Sequence, residues 1–149
     1  MTASRPVADA NVEFQDNMVA LVRALGLHKP DQTPCGQPVS VGEAHALMEI
    51  AREPGIAQHG LVQRLRLEKS TVSRIAGLLE RRGWITRERD ASDTRYVRLR
   101  LTASGRKSNA TIAAARAAKF AKVFAALPKA QHTDVIVAIS ALVEVLREN

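Results

Sequence analysis

Apolar residues recur along most of this chain with a helical period, and in one stretch that period gives way to alternation. Across residues 8–27, Val12, Met18, Val19, Leu21 and Leu25 fall three, four and seven positions apart, a loose apolar face on a helix. Gly26 and Pro30 end it, and residues 28–40, with Pro30, Pro34, Gly36 and Pro38, read as a loop. Ser40, followed three positions later by Glu43, has the form of a capping box. It predicts a helix to about residue 52 that buries Ala44, Leu47, Met48 and Ile50 or Ala51 and stops at Pro54-Gly55. Two short helices follow. Residues 56–65 bury Leu61, Val62 and Leu65. After a turn at Arg66-Leu67, residues 69–82 carry a stripe of Val72, Ile75, Ala76 and Leu79, with Ser70, Ser73, Arg74, Gly77 and Arg81 opposite. Gly83 is placed to close that helix.

Beyond Gly83 the period changes to two. Residues 84–89 and 96–101 alternate, with Val97, Leu99 and Leu101 on one face and Tyr96, Arg98 and Arg100 on the other, joined by the polar, turn-prone run DASDTR. Thr102 then caps a long helix over 103–127 with Ile112, Phe120, Val123, Phe124 and Leu127 on one side. Pro128 breaks it, and residues 130–147 form a last helix with Val135, Ile139, Leu142, Val143 and Leu146 at helical spacing. The expected fold is mainly α with a small β-hairpin wing.

Composition narrows the picture. Aromatics make up 3% of the 149 residues, so the core must be aliphatic, and one domain of this length can bury a core without metals or disulfides. The single cysteine, Cys35, allows no intrachain disulfide and fits a reducing compartment, so a cytoplasmic location is expected. The start MTASRPVADANVEF has no apolar run behind a basic beginning, so no leader is expected, and no apolar run is long enough to span a membrane. The net charge of +7 is localised: residues 61–107 hold 13 Lys and Arg against 5 Asp and Glu, so the rest of the chain is close to neutral. A basic segment of this kind is the footprint of a polyanion partner.

Two short helices followed by a basic hairpin form a winged helix-turn-helix, and its chemistry suits double-stranded DNA. The major groove admits one α-helix. Small hydroxyls at Ser70, Thr71 and Ser73 reach phosphates and base edges, while Lys69 and Arg74 supply charge and bidentate hydrogen bonding to guanine. Arg95 near the hairpin tip is placed to enter the minor groove. No nucleophile elbow, phosphate loop or metal motif appears, so no enzymatic activity and no cofactor are expected.

The run LEKSTVSRIAGLLERRGWITRERDASDTRYVRLRLTASG closely resembles the DNA-binding domain of MarR-type regulators. The resemblance implies a single MarR-like domain over 1–149, with residues 41–101 as the winged helix-turn-helix and residues 8–27 and 103–149 as a helical dimerisation region. It implies a homodimer on a pseudo-palindromic operator, with Asp93 orienting the wing and Arg95 touching the minor groove. It further implies a transcriptional repressor released by a small aromatic acid held among Arg23, His45, Leu47, Met48 and Ile112. The alternative is an effector-independent or redox-responsive DNA-binding protein, the second through Cys35. Relatives that sense peroxide carry their cysteine inside the first helix, whereas Cys35 lies in a loop. Zinc-sensing relatives pair a histidine at the level of His45 with others after the wing, and residues 103–127 contain none, so no metal is expected. The sequence departs from the family where glycine is usual before Leu67 and Arg66 stands, where a Ser or Thr cap is usual and Ala57 stands, and in the length and proline content of the loop after the first helix.

Overall fold

The structure is a computed structural model that describes residues 7–149; residues 1–6, part of the start inspected for a leader, lie outside the described residues. Helix α1 (Val7–Leu25) is followed by the proline-rich loop, α2 (Val41–Arg52), β1 (Ile56–Ala57), α3 (Gln58–Leu65), α4 (Lys69–Arg81), β2 (Ile85–Arg89), β3 (Val97–Leu101) and α5 (Ala103–Ala126). A single 3-10 turn at Lys129–Gln131 leads into α6 (His132–Glu148).

The helices α2, α3 and α4 enclose one aliphatic core with the sheet. Leu47, Ile50, Leu61, Val72, Leu79 and Leu99 are fully buried there, with Ile75, Ile85 and Ile112 nearly so. Each contributes about 1.5–3 kcal/mol by leaving water. Met48 is a correction: it is half-buried and outside the core, and Ala46 takes a core position instead. A second correction concerns residues 56–65, which do not form one helix. Gly55, at φ 85°, turns the chain and donates its N–H to Leu99 O at 2.9 Å. Ile56 and Ala57 then pair antiparallel with Leu99 and Arg98, so the sheet has the order β1-β3-β2 and α3 starts only at Gln58. The N-cap of α3, Ala57, offers no side-chain bond.

The capping box at α2 does more than start a helix. Glu43 N–H donates to Ser40 Oγ at 3.1 Å, and Glu43 Oε2 accepts from Ser40 N–H at 3.0 Å. The other carboxylate oxygen accepts from Arg82 Nε at 2.9 Å, so the same side chain ties α2 to the end of α4. Glu43 is 4% exposed. Burial alone would raise its pKa, but the Ser40 hydrogen bonds and the Arg82 guanidinium outweigh that and hold it below the usual value. Glu43→Gln is therefore expected to cost about 2 kcal/mol at neutral pH in urea melts. A depressed folded pKa adds stability that is present above the unfolded value of 4.5 and is lost as pH falls through the folded one, so the gap between variant and parent should close in acid. A gap that stays constant down to acid unfolding would deny the ionised carboxylate this role.

At the other end of the head, β3 passes directly into α5. Thr102 Oγ1 accepts from Gly105 N–H at 3.0 Å and donates to Gly83 O at 2.6 Å, while Thr102 N–H donates to Trp84 O at 3.0 Å. The base of the wing and the first turn of α5 are thus one unit. The remaining helices are different in kind. Val12 in α1 and Ile139 and Leu146 in α6 are 58%, 53% and 66% exposed, and Phe120, Val123 and Phe124 of α5 also face outward.

Candidate nucleic-acid interface

Helix α4 sits on the core through Val72, Ile75, Ala76 and Leu79 and turns its other face outward. On that face Lys69, Ser70, Ser73 and Arg74 are exposed, and Thr71 is half-buried beside them. Its N-cap, Glu68, makes no side-chain capping bond, so the first N–H groups and the positive end of the helix dipole point outward with the hydroxyls. That end suits a phosphate.

The wing is organised by two aspartates. Asp90 accepts from the Ser92 hydroxyl, from Ser92 N–H at 2.8 Å, from Asp93 N–H at 3.1 Å and from Arg98 Nε at 2.7 Å. The Ser92 hydroxyl and then the Arg98 guanidinium hold its carboxyl far below the ordinary carboxylate range. Asp93 accepts from Arg95 N–H at 3.1 Å and from the Arg95 guanidinium at 3.0 Å (Nε) and 2.7 Å (Nη2). The pairing lowers the Asp93 pKa and raises that of Arg95. The Arg95 side chain nevertheless remains 83% exposed, so it is aimed by Asp93 without being covered. Tyr96 braces the hairpin: its ring lies 5.0 Å from that of His59 on α3, and the Arg98 guanidinium sits 5.8 Å from its centroid.

The other wing arginines are largely committed to the fold. Arg87 pairs with Glu80 of α4 at 3.0 Å, Arg98 with Asp90, and Arg89 donates to Thr94 O at 2.9 Å. Sequence reasoning passed over Asp90, His59 and Tyr96. Asp90 had a legible signal, since Asp-x-Ser in a turn is the pattern of an Asx turn. His59 and Tyr96 had none, because 36 residues of chain lie between them.

The five residues expected to hold an effector do not come together. His45 and Ile112 line one cavity of about 150 Å³, with Leu25, Leu27, Phe120 and Arg116 among its other walls. Arg23 lines a separate hollow with Met18, Val22 and His28, Leu47 is sealed in the core, and half-buried Met48 is not among the cavity's lining residues. Cys35 borders the cavity, its sulfur 3.0 Å from Thr33 Oγ1. Arg116 was missed, although it follows Ile112 by one helical turn and so shares its face. Partial desolvation lowers the pKa of His45 even though the residue is exposed, with Arg116 adding to the effect and Glu49 opposing it.

An amphipathic helix beside an aspartate-ordered basic hairpin defines a winged helix-turn-helix. Residues 37–95, from the end of the proline-rich loop to the wing tip, match the model of the MarR family. Over those residues the chain is similar to that family of transcriptional regulators. The fold matches FabT of Streptococcus pneumoniae, solved in complex with DNA, at TM-score 0.68 and 21% identity over 95% of this chain and 96% of that one. It matches PcaV of Streptomyces coelicolor, solved with its natural ligand, at TM-score 0.65 and 20% identity over 97% of this chain and 98% of that one. BldR of Sulfolobus solfataricus aligns at TM-score 0.74 and 16% identity over 97% of this chain and all of that one. No curated protein matches in sequence. Among the described residues no helix is long and apolar enough to cross a membrane.

Proposed function

We propose that the protein is a homodimeric, sequence-specific repressor that sets two winged heads on a pseudo-palindromic operator and is released by a small aromatic acid. The observation that carries this reading is the division of the molecule's surface. The exposed face of α4 and the wing is basic and hydroxylic, whereas α1, the far half of α5 and α6 leave a long apolar surface uncovered. A second copy related by two-fold symmetry would cover it and place two recognition helices about 34 Å apart, one turn of DNA. Residues 41–101 then read DNA, and residues 8–27 and 103–149 pair the protomers. That FabT was solved with DNA supports the first half.

Lys69, Ser70, Thr71, Ser73 and Arg74 are assigned to the major groove, and Arg95, steered by Asp93, to the minor groove and its phosphates. Two substitutions separate these roles on an operator selected from random duplexes. Arg74→Ala is expected to cost about 1–3 kcal/mol and to relax sequence preference. Arg95→Ala should weaken binding to all duplexes and reduce the salt slope by about one. Equal losses on selected and scrambled DNA for Arg74→Ala would remove its base-reading role, and binding indifferent to salt would remove the DNA reading itself.

The release step rests on the cavity between α1, the loop, α2 and α5. Apolar cavities of about 150 Å³ hold a single ring. Arg116 supplies a positive charge, and His45 offers a ring nitrogen. That PcaV was solved with a ligand supports a pocket in this fold. With benzoate and its hydroxylated forms as probes, Arg116→Ala should abolish release from DNA, and His45→Ala should weaken it, both with operator affinity nearly unchanged. An equal drop in operator affinity would make these residues structural and the pocket assignment wrong.

A further inference from the structure

Arg66 joins two parts of the molecule that otherwise hardly touch. It stands in the turn between α3 and α4 at φ 54°, alone in the left-handed region among the described residues other than glycine. A β-carbon there carries a steric cost that glycine would not. Its side chain reaches across the chain to the last turn of α6: Nη1 donates to Leu146 O and Nη2 to Arg147 O, each at 3.2 Å. Hydrogen bonds from a charged donor to backbone carbonyls are stronger than neutral ones, so the two contacts hold the turn against α6. A guanidinium reaches both at once with N–H groups already held in a planar fork, whereas an ammonium must order a flexible stem to do so. The neighbouring turn residues offer no substitute, since Leu67 is apolar and Glu68 would be repelled.

We propose that Arg66 is a positioning residue that clamps the helix-turn-helix turn to the end of α6 and thereby sets the distance between the two recognition helices of the dimer. The proposal rests on the dimer reading given above. Helix α6 belongs to the apolar surface assigned to the partner, and α4 begins three residues after Arg66. A shift of α6 therefore passes to the start of the recognition helix through two hydrogen bonds rather than through the length of α5. With the clamp cut, each head keeps its own fold and its own grip on a half-site, but the pair tolerates wrong spacings.

The test uses an operator selected from random duplexes by the parent protein, the same duplex cut to one half-site, and versions with one or two base pairs inserted between half-sites. Arg66→Gly removes the clamp while relieving the backbone, so it should melt at or above the parent temperature. It should bind the half-site as the parent does and reduce the penalty for an inserted base pair by about five-fold, the scale of a charged hydrogen bond shared with solvent. Arg66→Ala should relax spacing equally without the gain in melting temperature, and Arg66→Lys should fall between. A parental spacing penalty in Arg66→Gly overturns the clamp. A parent protein that binds one half-site as tightly as two overturns the dimer reading, and the proposal with it, before any variant is compared.

Discussion

Gly105→Ala is expected to be the most damaging single-methyl change in the molecule. A β-carbon at Gly105 would lie 1.9 Å from Trp84 O and 2.8 Å from Trp84 C, and both are backbone atoms that no rotamer change can move. The backbone of Trp84 is also held by Thr102 N–H, so relief requires prising the base of the wing from the first turn of α5. Overpacking of a kind that forces backbone shifts costs about 3 kcal/mol or more, a fall in melting temperature of about 10 °C for a chain of this size. Operator affinity should fall as well, because the wing pivots at that base. Gly83→Ala provides the control. Its β-carbon meets nothing within 4 Å, and only its φ of 75° is strained, for about 1 kcal/mol. If the two variants melt together, the Trp84 carbonyl is not what excludes a side chain at Gly105.

Ile139→Glu should leave each protomer folded and yet abolish tight DNA binding. Ile139 is 53% exposed on α6, so within one chain a carboxylate there reaches water and costs little. In a two-fold interface the same substitution appears twice and buries two unpaired charges, each worth several kcal/mol. The expected dimer dissociation constant rises by about three orders of magnitude, on the scale of 4 kcal/mol. Circular dichroism should remain that of the parent while light scattering at micromolar concentration reports a monomer. A dimer that persists in Ile139→Glu would place the interface elsewhere than the outward face of α6.

These two substitutions mark where reading the chain succeeds and where it stops. The apolar excess on α1, α5 and α6 is visible as helical spacing in the sequence, because side-chain direction on a helix follows from position alone. The capping box at Ser40 and Glu43, the closure of α4 at Gly83 and the alternating strands of the wing are legible for the same reason: each depends on residues within one or two turns of each other. The outward side of α4 is likewise the complement of its apolar stripe.

What the sequence could not supply are contacts between segments far apart along it. Ile56 and Ala57 look like the opening of a helix, since two residues are too few to show a strand period, and only Leu99 and Arg98 alongside make them a strand. Gly105 reads as an ordinary glycine in the first turn of a helix until the Trp84 carbonyl is found against it. The cavity draws its walls from α1, the loop, α2 and α5, which scatters the residues expected to share it and brings in Arg116. Arg66 is the clearest case. Its departure from glycine is plain in the sequence, but its partner lies 80 residues away, at a backbone carbonyl of α6 whose position is set by the whole fold.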